Sequence, residues 1–338
     1  MTAAQMTAGM LPPQLRTSPD RCCSRAVTVE SHDDRRVWDM EALPVPSIPM
    51  ERTFEGFLGR GWFDCDPEVR TCSAPVTAPV TKRIYINELP LEVLELLGDP
   101  DRAPLVLLHE GLGSVGLWRS FPVALHAATN RRVIAFSRFG HGRSAPPRRP
   151  RTRAFFHEEA LQVLPELLEA LDAPEPVLVG HSDGASIALI HAAHRPVSGI
   201  VLLAPHVMVE EVTVRAIRKT REAYVYGGLR EKMARHHDDP DAAFWGWCNV
   251  WLDDEFRSWT LDEEAGHVTA PILLIQGIED PYGSLEQLAR IDAHARGPVE
   301  RLIVLGGHRP HREQPDRVIR AIEAFVSTLP PKNAVLPA

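Results

Sequence analysis

One serine of this sequence stands in a setting that suits a nucleophile. The pattern Gly180-x-Ser182-x-Gly184 follows a short apolar run and opens a run typical of a helix. A nucleophilic serine at the tip of a sharp strand-to-helix turn has a strained backbone, and glycines two residues to either side avoid clashes there. The helix N-terminus also favours the negative charge that develops at a reacting centre. We therefore interpret Ser182 as a nucleophile.

A serine hydroxyl is a poor nucleophile without a positioned base, and the C-terminal part of the chain supplies one. His308 follows the apolar run 302–305, and Asp280 follows the apolar run 272–275. Reactive groups of open α/β sheets gather beyond the carboxyl ends of the strands, and the chain order Ser, Asp, His is typical there. We predict that His308 is the general acid and base and that Asp280 orients its imidazole. Glu279 is the alternative to Asp280.

An acyl-transfer site also needs hydrogen-bond donors for the oxyanion. The glycine-rich loop after the apolar run 105–108 includes Glu110, Gly111 and Leu112. We predict that the backbone N–H groups of Gly111 and Asp183 are the donors, with Leu112 as the alternative to Gly111. A plain tight turn is the alternative interpretation of this loop. The Glu110 carboxylate would oppose an oxyanion, so we expect it to point away or to be held by a partner.

The other histidines have simpler interpretations. His311 follows His308 at the spacing of a His-x-x-His metal pair, but the nearby sequence offers no third ligand. We therefore predict no metal site and no cofactor. His181 is interpreted as a packing or hydrogen-bonding residue. The pair His236-His237 lies in polar sequence and is expected on a solvated face.

The runs that hold these residues alternate between strand and helix. Short apolar runs, typical of buried parallel strands, are separated by helix-length stretches. This alternation predicts an α/β fold, a mostly parallel twisted sheet with helices on both faces. The predicted strands are 82–86, 91–96, 105–108, 133–136, 176–179, 200–203, 272–275 and 302–305, and the predicted helices include 156–171, 185–194 and 318–325.

The chain divides into four parts on this pattern. Residues 1–80 show no sustained period and are expected to be a partly disordered extension, although the true start could lie near Met50. The α/β core is predicted over 81–206 and 266–330, with a tail at 331–338. Residues 207–265 interrupt the core with helical patterns, including a helix after Asp239-Pro240 and a stop at Gly227-Gly228, and are predicted to be a helical insertion.

Composition excludes several classes of protein. The 338 residues carry a net charge of -8, which gives no electrostatic reason to bind nucleic acid or anionic membranes. No apolar run reaches the roughly 18 to 20 residues of a membrane span. The five cysteines lack metal-ligand or disulfide-scaffold spacing. We expect a cytoplasmic protein with a small-molecule substrate, and the oligomeric state stays open.

Together these motifs resemble the α/β-hydrolase superfamily over residues 81–330. Two positions depart from the usual pattern, since Ser137 replaces an aspartate and Glu110 replaces the second residue of a His-Gly pair. The resemblance implies that the helical insertion covers the pocket, and we call residues 207–265 the lid segment. The motifs that carry the resemblance are His109-Glu110-Gly111, the stretch 137–144, the Ser182 turn, the loop 277–280 and Gly307-His308.

The lid segment is rich in aromatic residues. On a helix, Trp247 and Trp251 share a face, and they are predicted to form an apolar ceiling over Ser182. The alternative is that these rings pack a small core of the lid segment itself. Glu210 and Glu211 could bind a substrate amine, as in aminopeptidases of this fold, or could simply favour the helix dipole.

Three enzymatic functions and one other stay open. The first is hydrolysis of an ester, thioester or lactone of a small apolar acid through an acyl-enzyme on Ser182. The same triad would serve hydrolysis of a carbon–carbon bond in a ring-cleavage product of aromatic catabolism, or release of N-terminal residues from peptides. A ligand-binding receptor that retains the triad is the non-enzymatic alternative.

Overall fold

The computed structural model describes residues 30–31 and 78–331, and in these residues nine strands form one sheet. The order across the sheet is β1-β2-β3-β5-β4-β6-β7-β8-β9, with antiparallel pairing up to β5 and parallel pairing from there to β9. The strands are β1 (Glu30–Ser31), β2 (Val80–Ile86), β3 (Leu89–Leu96), β4 (Leu105–Leu108), β5 (Val133–Phe136), β6 (Val177–His181), β7 (Gly199–Leu203), β8 (Ile272–Gly277) and β9 (Val299–Val304).

The central strands are apolar throughout because both faces of the sheet are covered. In β4, Val106 and Leu108 point into one apolar layer, and Leu105 and Leu107 point into the other. Successive side chains of a strand point to opposite faces, so a strand buried on both sides has no polar positions. The predicted fold class, a mostly parallel sheet with helices on both faces, is confirmed.

Helices cover the two faces unequally. The face with α1 and α11 has its own core, which includes Phe121, Leu125, Ile322 and Phe325. The larger core on the other face includes residues of α2–α4, of the lid segment and of α9. Outside the lid segment the α-helices are α1 (Phe121–Thr129), α2 (Phe155–Glu158), α3 (Leu164–Ala170), α4 (Asp183–His194), α9 (Glu286–His294), α10 (Pro310–Glu313) and α11 (Pro315–Ser327), with a π-helical turn at Glu159–Val163 between α2 and α3.

The lid segment lies between β7 and β8 and is helical. It holds α5 (Glu211–Tyr226), α6 (Leu229–Met233), α7 (Pro240–Trp251) and α8 (Asp262–Ala265). The Asp239 side chain caps α7 by accepting a hydrogen bond from the Ala242 N–H at 2.9 Å, and Gly227 ends α5. The rings of Tyr224 and Phe244 stack at 3.7 Å and join α5 to α7.

Some expectations differ from the structure or lie beyond it. The last strand begins at Val299 and ends at Val304, earlier than predicted, and Leu305 is exposed. The expectations for the extension 1–80 lie outside the described residues except at 30–31 and 78–80, and those for the tail lie outside them after residue 331. No helix among the described residues is long and apolar enough to cross a membrane.

Candidate active site

Ser182 stands at the turn between β6 and α4. Its backbone has φ 54° and ψ −118°, a conformation that is costly for a residue with a side chain. The turn needs its two glycines, because a Cβ on Gly180 would overlap the backbone of Gly184 and Ala185, and a Cβ on Gly184 would overlap the carbonyl of Leu108. The strained turn thus presents the Ser182 side chain at the carboxyl end of β6.

The structure brings Ser182, His308 and Asp280 together. His308 Nε2 lies 2.9 Å from Ser182 Oγ, and His308 Nδ1 lies 2.8 Å from Asp280 Oδ2. Burial works against the charge of Asp280, but the hydrogen bond and charge attraction to His308, the N–H of Tyr282 and the nearby His206 together outweigh this effect and lower the pKa of the carboxyl below its ordinary value. Glu279, the alternative, is exposed. His308 and Asp280 follow β9 and β8, which are neighbours in the sheet.

The two residues predicted as oxyanion donors are also adjacent. A Cβ on Gly111 would lie 2.9 Å from Asp183 Oδ2, so the loop after β4 approaches the first residue of α4 closely. The Asp183 side chain is buried, and its Oδ1 accepts a hydrogen bond from Trp251 Nε1 at 3.2 Å. Its Oδ2 is buried without a hydrogen-bond partner. Burial raises the pKa of Asp183 to about 6, although Arg138 and Arg151 favour its charge.

Glu110 points toward the histidines of the site rather than away from them. Its carboxylate, His181 and His308 offer ligand atoms that all lie within 4.8 Å of one another. Burial opposes the charge of Glu110, but the basic groups around it, first His181 and then Arg309, His308 and Arg312, together outweigh burial and lower the pKa of the carboxyl. In the part of the chain that the structure describes, this is the one such group of three that could share an ion. His311, which forms a His-x-x-His pattern with His308 in the sequence, is not a member of this group.

His181 and His311 lie beside the predicted triad. His181 Nε2 donates a hydrogen bond to the carbonyl of His308 at 2.7 Å, which agrees with a hydrogen-bonding role. The ring of His311 packs against Trp118 and Phe121 at centroid distances of 5.1 and 5.3 Å. Both residues support the loop that carries His308.

The predicted ceiling residues contact the two residues that are predicted to be oxyanion donors. The indole Nε1 of Trp247 occupies the space where a Cβ of Gly111 would stand. Trp251 bonds Asp183 and also packs edge-on against Phe156 and Phe256, at centroid distances of 5.9 and 5.4 Å. The rings therefore both pack a core and face the site.

The acids at the start of α5 are engaged elsewhere. Glu210 accepts hydrogen bonds from Ser284 Oγ and Gln287 Nε2, each at 2.6 Å. Glu211 pairs with Arg257 at 2.9 Å.

Several residues near the site were missed by the sequence analysis. The rings of Tyr282 and His206 lie 4.7 and 5.6 Å from that of His308, measured between centroids. Arg138 is fully buried behind the loop of Gly111. The expectation of a solvated face is wrong for His237, which is 2% exposed. Its neighbours in sequence are polar, and its burial comes from a contact with a loop more than 100 residues earlier in the chain.

Comparisons with known proteins agree with the fold. The mouse serine hydrolase BPHL is 26% identical over 280 residues, covering 78% of this chain and 91% of the relative. An esterase from Exiguobacterium antarcticum has a TM-score of 0.59 at 17% identity, covering 72% of this chain and 98% of that one. The enol-lactonase from Burkholderia xenovorans LB400 has a TM-score of 0.58 at 19% identity, covering 72% and 99%.

A match to the sequence model of a protein family shows which family the chain belongs to. Residues 105–321, well over half of the chain, match the sequence model of the alpha/beta hydrolase family. This range begins with β4 and extends into α11, so it includes the Ser182 turn, the lid segment and the loops of Asp280 and His308. The chain is an enzyme of the alpha/beta hydrolase family.

Proposed function

We propose that the protein cleaves an ester, thioester or lactone of a small apolar acid, with Ser182 as nucleophile, His308 as general acid and base, and Asp280 as the residue that orients His308. The observation that carries the proposal is the 2.9 Å contact between Ser182 Oγ and His308 Nε2, at a strained turn between strand and helix. Nucleophilic catalysis needs a nucleophile that is hydrogen-bonded to a base, and a third group that orients the base.

The first half of the reaction forms an acyl-enzyme. Ser182 Oγ attacks the carbonyl carbon while His308 Nε2 takes the hydroxyl proton. The carbonyl oxygen becomes negative and is bound by the N–H groups of Gly111 and Asp183. Asp280 remains ionised and stabilises the imidazolium through Nδ1–H. His308 then gives its proton to the leaving alcohol, thiol or ring oxygen.

The second half returns the enzyme to its starting state. His308 Nε2 takes a proton from a water molecule, and the resulting oxygen nucleophile attacks the acyl carbon. The same two N–H groups bind the second oxyanion. Collapse of this intermediate breaks the bond to Ser182 Oγ, which takes the proton back from His308 and releases the acid.

The surroundings of the triad favour a small apolar acyl group. The rings of Trp247, Trp251 and Tyr282 lie around Gly111, Asp183 and His308 respectively. Ser182 and His308 are 6% and 9% exposed, so the site is enclosed. Aromatic walls suit an apolar ligand. Two of the structural neighbours are an esterase and an enol-lactonase, whose substrates are esters by name.

A substrate series with a matched serine variant tests the proposal. Short-chain chromogenic esters, a thioester and a lactone should be hydrolysed by the purified protein, and Ser182→Ala should lower kcat by several powers of ten. Ser198→Ala is the control, because its hydroxyl bonds the Glu175 carbonyl away from the site, and it should retain turnover.

The same series separates the other functions. Turnover of ring-cleavage diketones in preference to all esters would replace the ester proposal by carbon–carbon hydrolysis, and preference for aminoacyl amides would replace it by peptidase activity. Ester turnover that survives Ser182→Ala would overturn the nucleophile assignment. No turnover of any class, together with no labelling of Ser182 by a fluorophosphonate, would favour a binding function.

A further inference from the structure

The loop that carries Gly111 is held from behind by its carbonyl groups. Arg138 Nη1 and Nη2 donate to the carbonyls of His109 and Glu110 at 2.5 and 2.9 Å. His141 Nε2 donates to the carbonyl of Gly111 at 2.9 Å. The next carbonyl, that of Leu112, is bonded by His237, so four consecutive carbonyls of the loop accept side-chain hydrogen bonds.

The fourth bond comes from the lid segment. His237 Nε2 lies 3.1 Å from the carbonyl oxygen of Leu112, and His237 Nδ1 accepts a hydrogen bond from the N–H of Gly142 at 3.1 Å. Because Nδ1 is an acceptor, the proton of the neutral ring is on Nε2, which can then donate to Leu112. Burial lowers the pKa of His237 to about 4, so the ring is neutral at ordinary pH.

These bonds determine where the N–H groups of the loop point. A peptide unit is planar, and in the trans form its C=O and N–H point in opposite directions. Fixing the Glu110 carbonyl therefore directs the Gly111 N–H to the opposite side, and fixing the Gly111 carbonyl does the same for Leu112. These are the two N–H groups of the loop that could bind an oxyanion.

His237 acts on this arrangement through the next peptide. With the Leu112 carbonyl held, the N–H of Gly113 is directed to the carbonyl of Glu110, to which it donates at 3.0 Å. That bond reinforces the orientation of the Glu110–Gly111 peptide.

Two indoles of the lid segment contact the same site. Trp247 lies directly against Gly111, and Trp251 Nε1 bonds the Asp183 side chain. The lid segment therefore contacts both residues whose N–H groups the proposed mechanism uses, in addition to the bond from His237 to Leu112.

We propose that the lid segment positions the oxyanion hole, and that His237 is its main positioning residue. The expected effect on kcat rests on the proposed function, whereas the positioning of the loop by His237 rests only on the contacts of the loop. His237 touches no reacting atom. It makes the chemical step depend on the lid segment, because an N–H group that is misdirected stabilises the oxyanion less while substrate contacts elsewhere are unchanged.

Kinetics of three variants test this role. Loss of a whole oxyanion donor costs about 10²–10³ in kcat, so loosening the loop with His237→Ala should lower kcat by about 10-fold or more and change KM by less than about 3-fold. His237→Gln keeps a donor of similar reach and should recover most of kcat. His236→Ala, at the preceding and partly exposed residue, is the matched control and should keep kcat within about 2-fold.

Hydrogen exchange gives a readout that does not depend on turnover. In His237→Ala, peptides covering residues 109–113 should exchange faster than in the wild type and in His236→Ala, with β6 and β7 unchanged. Unchanged exchange in this loop, or a kcat equal to that of the control, would overturn the proposal while leaving the ester hydrolase intact. If the wild type cleaves no ester, the proposed function fails, and the exchange experiment still decides whether His237 holds the loop.

Discussion

Asp183 combines two features within one residue, a backbone N–H beside Ser182 and a buried carboxylate. The carboxylate has one bonded and one unpartnered oxygen. Burying a charge without full hydrogen bonding is unfavourable, which is why its pKa is raised. The fold accepts this cost at the position that follows Ser182, next to Gly111 and Trp251.

The first prediction concerns Asp183 and pH. The pKa of Asp183 in the folded protein is about 6, above the ordinary value of 3.8. At a pH between these two values, the carboxyl is protonated in the folded protein and ionised in the unfolded chain. Stability should therefore fall as pH rises from about 4 to 6, by about 3 kcal/mol in all. Asp183→Asn removes this dependence, so its stability relative to wild type should rise over that window. Urea unfolding at several pH values measures both profiles, and parallel profiles would contradict the prediction.

The second prediction concerns the partner of His308. Asp280→Asn cannot hold His308 in the tautomer whose Nε2 accepts the Ser182 proton, and in a serine protease the same change costs about 10⁴ in kcat. We expect a loss of 10³ to 10⁴ (about 4 to 5 kcal/mol) in ester turnover. Glu279→Gln, at the exposed neighbour, should change kcat by less than about 3-fold. A larger loss in the Glu279 variant would reassign the orienting acid.

At the scale of elements, close approach between β4 and α4 fixes the Ser182 turn. Gly184 lies against the carbonyl of Leu108, so α4 begins in contact with the end of β4. By contrast, Gly246 lies inside α7, and a Cβ there would be at ordinary contact distance, 3.4 Å or more, from the Arg151 side chain. The two glycines therefore have opposite consequences for substitution.

The third prediction uses this contrast. Gly184→Ala forces backbone apart and should destabilise the fold by about 3 kcal/mol. Gly246→Ala removes the entropy cost of a helical glycine and should stabilise it by about 0.5–1 kcal/mol. Thermal and urea unfolding of both variants provide the comparison. Equal shifts in the same direction would mean that contact with Leu108 does not restrict the turn.

Elements also show what the sequence could and could not predict. The buried strands β4 and β5 were predicted with their observed bounds, because a strand covered on both faces is apolar at every position. The edge strand β9 was displaced, since it carries Glu300 and Arg301 and its pattern is less distinct. The residues of the Ser182 turn, the Asp280 loop and Gly307-His308 were identifiable because local motifs mark them. Arg138 and His237 were not, because only contacts across the fold give them their surroundings.

At the scale of the whole molecule, one buried side chain joins distant parts of the chain. Arg131, just before β5, donates to the carbonyl of Ala103 at 2.9 Å and to the carbonyl of Val326 in α11 at 2.6 Å. These groups come from the beginning and the end of the described core. The guanidinium thus satisfies two carbonyls that the packing of α11 removes from water.

The fourth prediction follows from the two hydrogen bonds of Arg131. Arg131→Met keeps much of the volume but leaves both carbonyls without their donor, and a buried unsatisfied group costs about 1–3 kcal/mol. We expect a loss of about 3 kcal/mol in unfolding free energy. Arg102→Ala is the control, since its bond to the Thr129 carbonyl is partly exposed, and it should cost less than about 1 kcal/mol. Equal effects would show that Arg131 is dispensable.

The position of the lid segment in the middle of the chain has a consequence for synthesis. Ser182 precedes His308 by 126 residues, and Asp280, which follows β8, is made only after the lid segment. At the usual 5–20 residues per second, a ribosome needs about 6–25 s to make that interval. During this interval the nascent polypeptide holds Ser182 without the base that the proposed mechanism requires. On the proposed mechanism, hydrolytic capacity therefore arises only after His308 has been made, and a product that terminates before it would be inert.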